Sequence, residues 1–212
     1  MGLEKPNAGN FWQVKFFFKL LGIVRAAHRT DAVLIDSGVS SGIEKYSMTR
    51  NNTLIGVFPE CLVAMPKLAA EKVDPKVITN GHTHNFMITD KLYHKWGSES
   101  KLMMQIGENI SKGSTAAREL KCAPCKMIMI VLGDDECCLG EIKIAVQMGI
   151  PIILVDGSDL CARLIKFVTD GETLHNENVE ALLKEGHFYV CRNQKSEDIA
   201  AFAHFFLTVT PY

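Results

Sequence analysis

The 212-residue sequence has no long uncharged apolar run, no excess of one charge, no cysteine framework and no internal repeat. Each absence excludes something. The apolar segment 11–27 is broken by Lys15, Lys19 and Arg25. A membrane span needs about 20 predominantly apolar residues with few charges, so this segment reads as a buried helix. No cleavable leader is expected from this segment. The formal net charge is −1, from 23 basic and 24 acidic residues. Neither a nucleic acid nor an acidic membrane surface is an expected partner for so balanced a chain. Seven cysteines cannot all pair within one chain. None sits in a short repeating disulfide pattern, so reduced thiols and a cytoplasmic location are expected. There is no low-complexity tract or linker, and residues 1–212 read as one domain with a flexible lead over 1–10.

What is present centres on residues 127–163. Two short apolar runs, 127–132 and 152–155, bracket a segment with helical apolar spacing at Leu139, Ile142 and Val146. Gly149-Ile150-Pro151 stops that segment. Uninterrupted apolar runs flanking an amphipathic helix are what a parallel sheet covered on both faces requires. Further strands are expected at 32–35, 53–58, 85–89 and 187–191. Helices are expected at 11–28, capped by Asn10, at 43–48, 67–73 and 99–111, the last capped by Ser98. Others are expected at 159–169, at 178–184, and from a capping Ser196 to about residue 207. This alternation predicts an α/β fold with a doubly wound, mostly parallel sheet and helices on both faces.

In open α/β sheets, ligands bind outside the carboxyl ends of the strands. Four polar patches, 36–42, 81–85, 133–136 and 156–159, fall at expected strand ends. The first carries Ser37, Gly38, Ser40, Ser41 and Gly42 ahead of a helix. It reads either as an ordinary turn or as a phosphate cradle of backbone amides. It also matches G-x-S-x-G, with Ser40 as nucleophile and Asp156 and His187 as possible triad partners. His82 and His84 could bind metal, but no HExxH accompanies them. Cys122 and Cys125 form C-A-P-C ahead of a strand, whereas a redox motif follows its strand and opens a helix. Asp134, Asp135 and Glu136 sit near a helix start, where carboxylates favour the dipole. They would equally suit a ribose hydroxyl or a general acid or base, and Glu141 lies one or two turns further on.

These residues resemble the SLOG superfamily, in the LSDAT branch that forms the N-terminal region of TRPM channels. Residues 34–43 are similar to the family's glycine-rich segment. Residues 54–60 resemble its next strand. Gly81-His82-Thr83-His84-Asn85-Phe86 and Trp96-Gly97-Ser98-Glu99 resemble its N-H-T-H-F and W-G-x-E blocks, and residues 131–159 resemble its last nucleotide-facing unit. The resemblance implies a Rossmann-like fold that binds nucleotides or nucleotide-sugars such as ADP-ribose, often as a homodimer; no cofactor and no metal are expected. The implied ligand-binding set is Ser37, Gly38, Ser40, Ser41, Gly42, Thr83, His84, Gly133, Asp134, Asp135, Gly157, Ser158, Asp159 and Arg163. Related cytokinin-activating phosphoribohydrolases, of the lysine decarboxylase-like group, cleave nucleoside monophosphates through P-G-G-x-G-T-x-x-E. That glutamate falls on Glu141, while Asp134, Asp135, Cys137 and Cys138 replace the glycines and threonine. The channel branch's phosphate-binding arginine becomes Leu160, with Arg163 one turn on. The family's usual first strand is missing or reduced before Phe11. Three functions therefore stand as expectations. One is a nucleotide-binding sensor or accessory domain. Another is an N-glycosidic-bond hydrolase using Glu141, Glu136 and Asp135. The third is a ligand-free assembly scaffold.

Overall fold

The computed structural model describes residues 8–39, 43–64, 76–77, 81–90, 92, 95–113, 125–132, 136–192 and 195–208. Its elements run α1 (Ala8–Thr30), β1 (Leu34–Asp36), α2 (Ile43–Met48), β2 (Leu54–Pro59), a 3-10 turn (Glu60–Leu62), β3 (Val63–Ala64) and β4 (Lys76–Val77). They continue with β5 (His84–Ile88), α3 (Ser100–Ser111), β6 (Met129–Val131), α4 (Glu136–Gln147) and β7 (Ile152–Val155). The chain closes with α5 (Asp159–Asp170), α6 (Glu177–Lys184), β8 (Phe188–Cys191) and α7 (Ser196–Thr208). The expected Rossmann-like α/β arrangement holds, and every described strand pair is parallel.

The strands form two three-stranded sheets, β1-β2-β5 and β6-β7-β8, beside the small β3-β4 pair. The middle strand of each larger sheet, β2 or β7, is buried along its whole length. That is why the runs 54–59 and 152–155 are continuously apolar rather than alternating. Successive side chains still point to opposite faces. Ile55, Val57, Ile152 and Leu154 pack with Met103, Met104, Ile142, Leu164 and Leu183, from helices α3 to α6. Leu54, Ile153 and Val155 pack with Val24, Ile43, Ile199 and Phe206, from α1, α2 and α7. Each helical layer thus covers both sheets. Fully burying one such side chain contributes roughly 1.5–3 kcal/mol.

Helix ends follow local chemistry. Ser158 caps α5, its hydroxyl accepting from the Cys161 amide at 3.2 Å, and Gly171 closes the helix with φ of 72°. Asn176 caps α6 by accepting from the Val179 amide. Two expected caps fail. Asn10 lies inside α1, which starts at Ala8. Ser98 does not cap α3: Glu99 holds the N-cap position without a side-chain capping bond, and the Ser98 hydroxyl donates instead to the Lys95 carbonyl at 2.6 Å. A hydroxyl that meets a nearer carbonyl in the preceding turn no longer serves the helix. Ser196 opens α7 as its first residue rather than standing before it. The helix expected at 67–73 lies outside the described residues. No helix among the described residues is long and apolar enough to cross a membrane.

Candidate functional site

Because the paired strands are parallel, the loops after Asp36, Val131 and Val155 leave strands that run in a common direction within each sheet. The sharpest geometry is at Asp36, the last residue of β1. Its Oδ1 accepts from the Gly38 amide at 2.8 Å and lies 2.8 Å from His82 Nε2. The His82 side chain is fully buried, and that of Asp36 is 21% exposed. Asp36 Oδ2 is also buried and has no hydrogen-bond partner among the described residues. An unsatisfied buried carboxylate oxygen costs about 1–3 kcal/mol or more, so it marks a place where a donor belongs.

Two glycines make this corner possible. Gly38 has φ of 70° and lies over the Phe58 ring. Gly56, beneath it in β2, has no room for a side chain. A Cβ there would come within 2.6 Å of Gly38 Cα and 2.8 Å of Asn85 Oδ1. Glycine in an otherwise buried strand therefore marks a close backbone crossing.

A second cluster sits where β7 ends. Lys19 of α1 is buried, and its Nζ donates to the Asp156 carbonyl at 2.5 Å. Gly157 follows with φ of 123°, then the capping Ser158. Asp159 and Arg163 are exposed on the first two turns of α5. This places a buried cation on the backbone just ahead of a helix N-terminus, an arrangement that favours an anion.

A third cluster joins α3 to α4. Ser100 Oγ donates to Glu141 Oε1 at 3.2 Å. Gly97, with φ of 89°, lies against Cys137 Sγ. Glu99 is 3% exposed, and its Oε2 has no hydrogen-bond partner among the described residues. Glu141 and Asp36 line one cavity of about 470 Å³, whose walls are otherwise mainly apolar.

The expected site residues divide accordingly. Ser37 and Gly38 flank the Asp36 corner, and Gly157, Ser158, Asp159 and Arg163 share the α5 start. Ser40, Ser41, Gly42, Gly133, Asp134 and Asp135 lie outside the described residues, as does the side chain of Glu136. Residues 81–85 precede most of β5, so they sit at its amino end and not at a carboxyl end. Thr83 is committed to the backbone: its Oγ1 donates to the Leu54 carbonyl at 2.8 Å and accepts from the Leu54 amide at 3.0 Å. His84 is exposed, with Nδ1 3.0 Å from Thr83 Oγ1. The serine-hydrolase arrangement fails. Asp156 follows the carboxyl end of β7, whereas the His187 carbonyl accepts from Ile152 at the amino end. Four strand residues separate the two by roughly 13 Å, which no triad spans. Among the described residues no three His, Cys, Asp or Glu side chains gather as a metal would require.

Sequence reasoning missed Lys19, which interrupts an apolar helix, and it read His82 only as a possible metal ligand. Glu99 was marked only as part of the W-G-x-E block.

No curated protein matches the chain. Among solved structures, that of the molybdenum cofactor carrier protein from Chlamydomonas reinhardtii is similar, with 14% identity and a TM-score of 0.48, over 90% of this chain and 86% of that one. A family model described as SLOG in TRPM, prokaryote, matches residues 6–200, and the chain belongs to that family.

Proposed function

We propose that this chain is a cytoplasmic nucleotide or nucleotide-sugar binding domain, acting as a sensor or accessory module and working as a homodimer. The observation that carries the reading is Asp36. Its Oδ1 is fixed by Gly38 and His82, while its Oδ2 is buried and has no partner among the described residues, beside a glycine turn at a strand's carboxyl end. Such an oxygen accepts from a ribose hydroxyl or a base amino group. Ser37, Gly38, Ser40, Ser41 and Gly42 then cradle phosphate through backbone amides and hydroxyls. Lys19 and the start of α5 supply positive potential for a second phosphate or its neighbour. Residues 133–136 and Gly157, Ser158 and Asp159 close around the sugar. Calorimetry with ADP-ribose, AMP, NAD and cyclic nucleotides tests the reading, and no binding of any of them refutes it.

One observation favours hydrolysis as a second reading. Glu141 is held by Ser100 and lines the same cavity as Asp36. In that reading Glu141 takes a proton from water as the oxygen bonds to the sugar's anomeric carbon. The bond to the base nitrogen breaks, and the base leaves with its electron pair and gains a proton. A carboxylate near an oxocarbenium-like centre stabilises it. Base release from a nucleotide, abolished in Glu141→Gln, establishes this reading, and its absence in the unaltered protein removes it.

A further inference from the structure

The loop after β1 opens on a backbone amide that is already used. The Gly38 N–H donates to Asp36 Oδ1 at 2.8 Å, so the turn closes on its own side chain. His82 Nε2 lies 2.8 Å from the same oxygen. Among the described residues no lysine or arginine pairs with Asp36, and His82 is its one ionisable partner. A carboxylate so placed repels a phosphate, and a phosphate cradle in this loop begins only beyond Gly38.

The corner is also rigid. Asp36 stands opposite Gly56 in the β1–β2 register. A Cβ on Gly56 would meet Gly38 Cα at 2.6 Å, Asn85 Oδ1 at 2.8 Å and His82 Cδ2 at 3.1 Å, so the backbone turn, the amide and the imidazole crowd one point. The Phe58 ring closes against Gly38. Two partners on Oδ1 fix the plane of the carboxyl group. Oδ2 is the acceptor that remains, buried and without a partner among the described residues. A fixed acceptor favours a donor at one place and penalises a ligand that lacks it.

The donor follows from ligand chemistry. Asp36 and residues 40–42 belong to one loop, so a nucleotide that reaches both brings to Asp36 the group next to its phosphate. That group is the sugar, because the base amino group lies beyond it. A ribose hydroxyl can donate to a carboxylate oxygen. The 2′-hydroxyl is the one ribose donor that AMP, NAD, ADP-ribose and cyclic AMP all keep. We propose that Asp36 Oδ2 accepts from the 2′-hydroxyl of the nucleoside ribose and makes the site specific for ribonucleotides over 2′-deoxyribonucleotides. A 2′-deoxy ligand leaves this oxygen buried and unsatisfied. The inference rests on the nucleotide-binding reading and names the ligand class within it.

Calorimetry tests it with AMP, cyclic AMP, NAD and ADP-ribose, each beside its analogue lacking the adenosine 2′-hydroxyl. Both sets are titrated into the unaltered chain and into Asp36→Asn. On the unaltered chain, the expected result is binding of at least one of the four, with its 2′-deoxy analogue about tenfold weaker or more. Asparagine removes the charge and places an amide where the carboxylate stood. The ribonucleotide then weakens, the analogue does not, and the ratio falls to about threefold or less. A structural role alone would weaken both ligands alike and keep the ratio. If Asp36→Asn does not fold, the ratio on the unaltered chain decides. Equal binding of a ribonucleotide and its 2′-deoxy analogue overturns the inference and leaves the nucleotide reading standing. A ratio unchanged in Asp36→Asn does the same. No binding of any of the four overturns the reading and the inference together.

Discussion

His82 and Asp36 are 46 residues apart in sequence, yet His82 Nε2 lies 2.8 Å from Asp36 Oδ1, with the imidazole wholly buried behind the carboxylate. The pairing turns a strand-end aspartate into a fixed acceptor. With Gly38 it occupies one oxygen, and the other, Oδ2, has no hydrogen-bond partner among the described residues.

Asp36→Asn keeps the side chain's shape and halves its acceptor capacity. Nucleotide affinity is expected to fall about tenfold, equivalent to about 1.4 kcal/mol, as read by calorimetry. The melting temperature should change little. Unchanged affinity places Asp36 outside the site.

His82→Phe fills the same buried space without the ring nitrogens. Asp36 Oδ1 then loses one of its two partners. A loss of about 1–3 kcal/mol is expected in urea unfolding. An unchanged midpoint would show that the pair contributes nothing to stability.

Two glycine-to-alanine changes should act in opposite directions. At Gly56 the new Cβ meets the Gly38 backbone at 2.6 Å, and backbone cannot swing aside. A destabilisation of about 1–3 kcal/mol follows from overpacking. At Gly140, inside α4, nothing lies within 4 Å of the new Cβ. There the helix gains about 0.4–1 kcal/mol. Equal urea midpoints for the two variants would contradict the crossing of Gly38 over Gly56.

Glu197 sets one acid-side dependence. Its own backbone amide holds its carboxyl below the ordinary value of 4.5, with help from Arg25 at 2.6 Å and from the Ser196 hydroxyl. A carboxylate whose folded value is lowered contributes stability above the unfolded value and loses it as pH falls through the folded one. Glu197→Gln should therefore lose less stability than the unaltered protein on acidification below about pH 5. Parallel pH curves would remove Glu197 from that account.

The β6-α4-β7 unit was legible because its strands are continuous apolar runs and its helix has a clear period. The ends of the expected strands were legible to within one or two residues, whereas the short β3 and β4 were not expected. The pairing of His82 with Asp36 was not, because register between β1, β2 and β5 is fixed by packing and no local pattern encodes it. The same holds for Lys19, which interrupts the apolar run of α1 and whose polar head reaches a strand end 137 residues away. Ser98 misled because its hydroxyl found the Lys95 carbonyl. Residues 81–85 looked like a carboxyl-end loop, yet they lead into β5, and His82 reaches the Asp36 carboxylate from there.

The most direct measurement is a thermal-shift panel of nucleotides and nucleotide-sugars, including ADP-ribose, run on the unaltered chain and on Asp36→Asn. At 100 times its Kd a bound ligand adds about 2.7 kcal/mol, which raises the melting temperature visibly. The expected result is a rise with one ligand class that is sharply reduced in Asp36→Asn. No rise with any ligand, or an equal rise in both proteins, would contradict a nucleotide site built around Asp36.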